Sequence, residues 1–393
     1  MGYYSAWIDV MNERSRAYVR SAFREYYHRN EPVLPLKFDK REWGFVSFDL
    51  PGMRRHKAFL SRQEAIDYLK GEVPRHAYYS SAIYHDPAAP KMEDKKWEGA
   101  ELIFDLDADH LHITTDSFEE MLSAVKKETA KLLKFLEDDF GFSEEDIEIV
   151  FSGGRGYHLH VYHPKVWKLE SSERREIVDY ITARGLEIEK ILITEKGRPT
   201  QIVSSSSWGE RLRQGFLEFM EEISEMDEDK AIKYLTHLRI KDLGVQRAKK
   251  LVEVAKDDML MGEIKKGNIA VVKQFPAGIW RNIIEERKKV KLGEIDEPVT
   301  ADVKRLIRLP GSLHGGTALK VTALEIDQFK NFDPLVDAVA FQEGEIIIDL
   351  FSESSITLMG QKHTFDPGIN EVPRAVGLYL ICRGLAEFRG VVG

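Results

Sequence analysis

One short segment with alternating side chains, Leu102–Asp107 (LIFDLD), constrains the fold more than any other. In an extended strand, successive side chains point to opposite faces of the sheet. The even-numbered residues therefore form an apolar face, whereas Ile103, Asp105 and Asp107 share the other face. The two carboxylates lie roughly 6–7 Å apart along such a strand, and they repel each other unless solvent or a cation separates them. The segment predicts either an edge strand with a hydrated face or a divalent-metal site.

Strand and helix patterns are distributed unevenly along the 393 residues. Residues 1–169 mix the two patterns, and residues 291–393 again contain strand patterns. The intervening residues 170–290 are almost wholly helical in pattern, apart from a polar loop at 194–207. A chain of this length exceeds the size at which single cores usually stop growing. We therefore expect an α+β fold, in which a mixed sheet with flanking helices forms a core and residues 170–290 form an inserted helical subdomain.

Several element boundaries follow from local signals. Ser117 and Glu120 predict a capping box at the start of a long amphipathic helix. Residues 76–86 (HAYYSSAIYHD) predict a single strand, and residues 372–388 predict a last helix with Pro373 near its first turn.

Composition excludes several classes of protein. The hydrophobic share of 43%, the charged share of 31% and the absence of a long apolar run are typical of a protein without a membrane span. The single cysteine, Cys382, rules out a disulfide framework and a cysteine-rich zinc knuckle. The first residues lack the pattern of a signal peptide, so we expect a cytoplasmic protein. The formal net charge of −9 argues against wholesale wrapping by nucleic acid, but not against a local basic groove.

A glycine-rich turn lies between two strand patterns in Phe151–Val161 (FSGGRGYHLHV). It lacks the Gly-Lys-Ser/Thr of a P-loop, although bare backbone N–H groups in such a turn can hold an anion. Arg155 adds a guanidinium suited to phosphate oxygens, and His158 and His160 share one face of the second strand. The alternative interpretation is an ordinary hairpin turn with two surface histidines.

A third polar cluster lies in Asp296–Val321. Residues 303–307 predict a short amphipathic helix, after which Arg308, Ser312 and His314 follow through a Pro-Gly turn. These residues suggest an anion site, and the alternative is a helix followed by a polar turn. Carboxylates for metal, a glycine–arginine turn and a distant Arg/His pair together suit a nucleoside triphosphate with divalent cations, and so indicate nucleotidyl transfer.

At this point the chain resembles a known family, the catalytic small subunit of archaeal and eukaryotic DNA primase, and its archaeal form most closely. The resemblance extends over nearly the whole chain. It depends on the shared order and spacing of five segments: REWGF (41–45), YYSSAIYHDP, WEGAELIFDLDADHL, SGGRGYHLHV and RLPGSLHGGTALKV. It implies template-directed synthesis of short primers on single-stranded DNA during replication.

The resemblance also implies roles for individual residues. Asp105 and Asp107 match the paired metal ligands, and Asp296 matches the third, with Asp302 as its competitor at the start of the predicted short helix. The nucleotide-binding positions of the family correspond to Ser152, Gly153, Arg155, His158, Arg308 and His314. Glu42 and Arg55 correspond to positions that line the same cleft.

The cofactors and partners implied by the resemblance are Mg²⁺ or Mn²⁺, nucleoside triphosphates, a single-stranded DNA template and a large primase subunit that carries an iron–sulfur cluster, as a heterodimer. The sequence departs from the pattern of the family at two places. The cysteine/histidine zinc insertion of many relatives is replaced by a segment in which only His110 and His112 remain, so we predict no structural zinc. Gly316 also stands where relatives often carry a lysine.

Two alternatives remain at the level of sequence. A metal-dependent glycosyltransferase also uses an Asp-x-Asp pair, and a non-catalytic nucleic-acid-binding subunit would not need Asp105. Because the net charge is negative, we expect only local basic segments to contact DNA. The candidates are residues 54–57, 247–250 and 287–289.

Overall fold

A computed structural model describes residues 11–109, 111, 115, 117–195, 198–202, 207–269, 271–272, 275 and 277–392. Its helices are α1 (Glu13–Arg29), α2 (Arg62–Glu72), α3 (Phe118–Asp138), α4 (Ser171–Ile181), α5 (Ser207–Glu225), α6 (Glu228–His237), α7 (Val245–Ala255), α8 (Asp258–Lys265), α9 (Ala277–Lys291), α10 (Glu297–Ala301), α11 (Ile326–Asn331), α12 (Pro334–Asp337) and α13 (Arg374–Cys382). Its strands are β1 (Trp43–Val46), β2 (Met53–Lys57), β3 (His76–Ser80), β4 (Ala82–Tyr84), β5 (Trp97–Ala100), β6 (Leu102–Asp107), β7 (Ile147–Phe151), β8 (Gly156–Val161), β9 (Leu192–Glu195), β10 (Arg198–Ile202), β11 (Leu306–Arg308), β12 (Thr322–Leu324), β13 (Glu345–Leu350), β14 (Ser354–Leu358), β15 (Gln361–Phe365), β16 (Gly368–Pro373) and β17 (Ala386–Val391).

The chain divides into two compact units. One contains the described residues up to Val178 and from Glu294 onward, and the other is Asp179–Gly293. The second unit contains α5 to α9 and a two-stranded sheet of β9 and β10, which occupies part of the predicted polar loop. The α+β class expected from the sequence is confirmed. Throughout the described residues the strand pairs are antiparallel rather than mixed.

A four-stranded sheet with the order β12-β7-β8-β6 contains the aspartate strand at its edge. Its register sets Ile103 opposite His160, Asp105 opposite His158, and Asp107 opposite Gly156. The apolar face of β6 packs against α3, whose buried stripe includes Leu122, Val125, Leu132 and Leu136. The alternation expected from the sequence is therefore present, with the carboxylate face directed away from α3.

The second four-stranded sheet of this unit has the order β11-β3-β1-β2. Its core cluster joins aromatic and aliphatic side chains of β1, β3, β11 and α2, and it also includes Ile103 of β6. The ring of His160 stacks on that of Tyr79 in β3, with centroids 6.5 Å apart. The face of β6 and β8 that carries Asp105 and His158 is therefore turned toward this second sheet.

Three local predictions are wrong. Residues 306–308 form the strand β11, because Ile307 and Leu309 enter the core when β11 pairs with β3. Residues 76–86 form two strands, β3 and β4, which belong to different sheets. The predicted last helix ends at Cys382, after which Gly384 takes a φ of +72° and the chain continues as β17.

Helix α3 begins at its predicted cap, because the side chain of Ser117 accepts a hydrogen bond from the Glu120 N–H. The carboxylate of Glu120 contacts the hydroxyl of Thr115 instead of closing a reciprocal box. Among the described helices, none combines the length and apolar character of a membrane-crossing segment.

Candidate active site

The paired aspartates lie at the end of β6, and both side chains are partly exposed, at 19% for Asp105 and 29% for Asp107. Asp107 Oδ1 accepts the backbone N–H of Asp109 at 3.0 Å. Arg155 Nη2 lies 3.6 Å from the same oxygen and also pairs with the Asp109 carboxylate. The strand pairing thus sets the glycine–arginine turn beside the carboxylates.

Asp296, rather than Asp302, meets the aspartate strand. The backbone N–H of Asp296 donates to the carbonyl oxygen of Asp105 at 3.1 Å, so the start of α10 covers the edge of β6. Asp302 is exposed and follows the end of α10, where its side chain accepts the Lys304 N–H at 2.8 Å. The expectation that Asp302 starts a short helix is therefore wrong, because α10 ends at Ala301 and the chain after Asp302 leads into the strand β11.

The glycine turn between β7 and β8 is joined to the segment after β11. Thr317 Oγ1 donates to the carbonyl oxygen of Gly153 at 2.6 Å. A Cβ on Gly153, which has a φ of +74°, would lie 2.7 Å from the Cβ of His314. Ser152 Oγ accepts the Gly154 N–H at 3.3 Å within the turn. Only glycine allows so close an approach, and it brings His314 to the turn that carries Arg155.

His158 and His314 are buried and neutral at physiological pH. Burial first, and then the charges of His160, Arg308 and Arg305, hold the pKa of His158 well below its ordinary value. Burial, and then the charges of Arg308, Arg75 and Arg155, also hold the pKa of His314 well below its ordinary value. Cations that depress a histidine pKa also create a positive field, and such a field attracts phosphate.

The guanidinium of Arg308 in β11 contacts two side chains of β3. Its Nη1 lies 2.7 Å from Nδ1 of His76, and its Cζ lies over the ring of Tyr78, 5.2 Å from the centroid. Tyr78 faces Arg308 in the pairing of β3 with β11. His76 carries no functional signal in the sequence, because nothing in residues 76–86 indicates that β11 will pair beside β3.

Glu42 and Arg55 form an ion pair of their own. Glu42 is fully buried, and its Oε1 accepts Arg55 Nε at 2.9 Å. Its Oε2 accepts Arg55 Nη2 at 3.3 Å and lies 3.8 Å from Lys95 Nζ. The charges of both Glu42 and Asp302 contribute to raising the pKa of Tyr84, after burial as the main cause. Glu42 and Asp302 therefore both act on Tyr84, whereas the backbone of Asp296 meets Asp105.

His160 is fully buried, so the interpretation of two surface histidines is wrong. Its Nδ1 lies 2.9 Å from Oε2 of Glu101, which also pairs with Arg41. Burial alone would raise the pKa of Glu101, but the charge of Arg41 and the bond to His160 hold that pKa below its usual value. This ionic network joins the two four-stranded sheets of the unit, because Arg41 bonds to the backbone of Ser80 in β3 and His160 lies in β8.

The residues present fit a hard divalent cation such as Mg²⁺ or Mn²⁺. In the described part of the chain, no three His, Cys, Asp or Glu side chains form a ready-made metal cage. Mg²⁺ does not require one, because it commonly binds one or two carboxylates together with water and substrate phosphates. The buried Nδ1 of His158, which has no hydrogen-bond partner among the described atoms, also leaves a polar group for a ligand to satisfy. His110 and His112 lie outside the described residues.

The predicted basic segments are largely paired with acids. In β2, Arg54 pairs with Glu72, and Arg55 pairs with Glu42. In the second unit, Lys249 lies 3.8 Å from Glu228, and Lys289 lies 2.8 Å from Glu286. Much of the positive charge in these segments is therefore offset locally.

Comparison with known proteins agrees with this arrangement. A family model described as DNA primase small subunit matches residues 104–326, more than half of the chain. The chain is 42% identical to the DNA primase small subunit PriS of Methanothrix thermoacetophila over 96% of its own length and 100% of the relative, and 42% identical to that of Methanococcoides burtonii over the same shares. It is 40% identical to that of Halobacterium salinarum, over 96% of this chain and 99% of the relative. These matches support the primase interpretation and neither of the two alternatives, and the chain belongs to the DNA primase small subunit family.

Proposed function

We propose that the chain synthesises primers on single-stranded DNA by nucleotidyl transfer at the site formed by Asp105, Asp107 and Asp296. Membership of the family makes it a DNA-directed primase subunit, a nucleotidyltransferase of DNA replication. The observation that supports this site above all is the convergence of the carboxylates of β6 with a cluster of arginines and neutral histidines.

Each side chain has a chemical task in this proposal. Asp105, Asp107 and Asp296 supply the oxygen ligands for Mg²⁺ or Mn²⁺. Bound there, the cations would lower the pKa of the attacking 3′-hydroxyl and offset charge on the leaving pyrophosphate. Arg155 and Arg308 donate to phosphate oxygens through planar guanidinium groups.

The remaining positions orient the triphosphate. His158 and His314 are buried and neutral, so each offers one ring N–H without adding a charge that must be desolvated. Ser152 and Gly153 hold the turn whose backbone N–H groups face the phosphates in this proposal. Glu42 and Arg55 are proposed to line the same cleft, where their mutual pairing keeps Arg55 in place.

The proposal extends to partners and location. A small primase subunit implies a primase complex that acts on DNA. We propose a heterodimer with a large subunit that carries the iron–sulfur cluster, since this chain has only the buried Cys382 and cannot ligate such a cluster itself. We also propose a cytoplasmic location and no structural zinc.

A primer-synthesis assay tests the proposal. The chain, alone and with the large subunit, is given a single-stranded template, Mg²⁺ or Mn²⁺, and either ribo- or deoxynucleotides. We expect products whose sequence depends on the template, and an Asp105→Asn variant below about one hundredth of the parental rate. Asp67→Asn, an exposed change in α2, is the matched control and should retain activity. Incorporation that ignores the template, or that persists in Asp105→Asn, would contradict the proposal.

A further inference from the structure

We propose that His76 is a positioning residue that holds Arg308 and the turn after His314 in the orientation needed for triphosphate binding. This inference rests on the proposed function of Arg308 and His314. His76 lies in β3 and is buried, with 2% of its surface exposed. It belongs to none of the segments that indicated the site from the sequence.

One ring nitrogen of His76 joins two parts of the site. Nδ1 receives Arg308 Nη1 at 2.7 Å and the backbone N–H of Gly315 at 3.3 Å. Arg308 is in β11, and Gly315 follows His314 directly. Nδ1 of His76 therefore links the guanidinium directly to the turn that carries His314.

The two partners determine where the proton of His76 lies. A guanidinium and a backbone amide can only donate, so Nδ1 must be unprotonated and act as the acceptor. The neutral ring then carries its proton on Nε2. Burial, followed by the charges of Arg308, His314 and Arg75, lowers the pKa of His76 well below its ordinary value, which agrees with a neutral ring.

The turn is packed tightly enough for this contact to matter. The rings of His76 and His314 meet edge to face, with centroids 4.9 Å apart. A Cβ on Gly315 would lie 2.8 Å from Arg75 Nε, so only glycine lets the amide reach His76. His314 Nδ1 in turn accepts the Gly316 N–H at 3.1 Å. Removing the acceptor at His76 would take one hydrogen bond from the guanidinium and one from the turn.

Three substitutions at His76 separate the acceptor from the bulk of the ring. His76→Asn places an oxygen near the position of Nδ1, His76→Gln moves it one bond farther out, and His76→Leu removes it. We expect His76→Leu to raise the Kd for a nucleoside triphosphate about 10-fold or more, the loss expected for a hydrogen bond to a charged group. His76→Asn should remain within about 3-fold of the parent, and His76→Gln should fall between the two.

The experiment measures equilibrium nucleotide binding, kcat and KM for each variant, and its thermal unfolding. A positioning role predicts that the change appears in Kd and KM more than in kcat, and that Asn rescues it. If His76→Leu does not fold, the Kd of His76→Asn is compared with that of His76→Gln, and tighter binding by His76→Asn supports the positioning role. Equal binding by folded Asn, Gln and Leu variants, or by Asn and Gln alone, would overturn the positioning role.

Measuring the His76→Leu change in the Arg308→Ala variant distinguishes this inference from the proposed function. In Arg308→Ala, the His76→Leu change should raise the Kd by a smaller factor than it does in the parent, because one of the two groups that His76 positions is absent. If Arg308→Ala binds the nucleotide weakly and His76→Leu binds it as tightly as the parent, the role of His76 is overturned and that of Arg308 stands. Parental binding by Arg308→Ala would instead overturn the triphosphate role of Arg308.

Discussion

The backbone N–H of Asp296 donates to the carbonyl oxygen of Asp105 at 3.1 Å, although the whole second unit lies between them in sequence. The contact covers the exposed edge of β6, where an unpaired carbonyl would otherwise face solvent. It also brings the backbone of Asp296, the third ligand of the proposed site, to the strand that carries Asp105 and Asp107. The proposed site is thus assembled from two distant parts of one compact unit.

The first prediction separates Asp296 from Asp302. Asp296→Ala should lose primer synthesis while its thermal unfolding stays close to that of the parent, since the backbone bond to Asp105 is retained. Asp302→Ala should remain active and lose at most about 1 kcal/mol, because its exposed side chain supports one turn hydrogen bond. Primer synthesis and thermal melts of both variants provide the measurement, and the reverse pattern would transfer the third ligand to Asp302.

The second prediction concerns the close contact between β8 and β6. A Cβ on Gly156 would overlap the carbonyl oxygen of Leu106 and lie 3.0 Å from the Cα of Asp107. Gly156→Ala should therefore cost about 1–3 kcal/mol or more, as overpacking does, and should reduce activity by displacing Asp107. Urea unfolding and primer synthesis measure both effects.

Gly71 provides the control for that change. It lies within α2, and a Cβ there meets nothing within 4 Å. Gly71→Ala should stabilise the protein by about 0.5–1 kcal/mol, because alanine is the better helix former. Equal effects of the two substitutions would show that the β6–β8 contact is not tight.

The third prediction concerns pH. Burial holds the pKa of His76 and of His314 well below the ordinary value of about 6.5, so the unfolded chain binds protons at higher pH than the folded one. Their contribution to stability is therefore complete above about pH 6.5 and is lost as the pH falls below it, by up to about 1.4 kcal/mol per pH unit for each histidine.

Urea unfolding at pH 7.5, 6.5 and 5.5 measures this loss. His76→Asn cannot titrate, so the fall in its free energy of unfolding with decreasing pH should be shallower than that of the parent. The exposed His28 offers a matched change, His28→Asn, which should alter the slope much less. An unchanged slope in His76→Asn would mean that His76 takes up its proton in the folded protein as readily as in the unfolded one.

The fourth prediction concerns DNA. With a net charge of −9 and basic segments that pair with nearby acids, the isolated chain should bind single strands weakly. The logarithm of the affinity should fall with the logarithm of salt concentration by about 0.7 per phosphate contacted, with few contacts. Fluorescence anisotropy of a labelled oligonucleotide across a salt series measures the slope. A slope that implies about six or more phosphates would reveal an extended basic groove.

Local pattern in the sequence was sufficient for part of this architecture. The alternation of Leu102–Asp107 determined a strand with both aspartates on one face, because a period of two is a property of the extended backbone itself. Ser117 marked the start of α3 for an equally local reason, since a cap acts within a single turn. The resemblance of five ordered segments to the primase family indicated the residues of the site.

Only the tertiary structure decided the rest. Residues 303–307 carry apolar side chains at helical spacing, but pairing with β3 buries Ile307 and Leu309 and makes 306–308 a strand. The burial of His158 and His160, and with it the depressed pKa of His158, depends on a second sheet that no local pattern shows. The positions of Asp296 beside Asp105 and of His76 beside Arg308 likewise depend on contacts between distant segments, since burial and hydrogen bonding are determined by what the folded chain brings together.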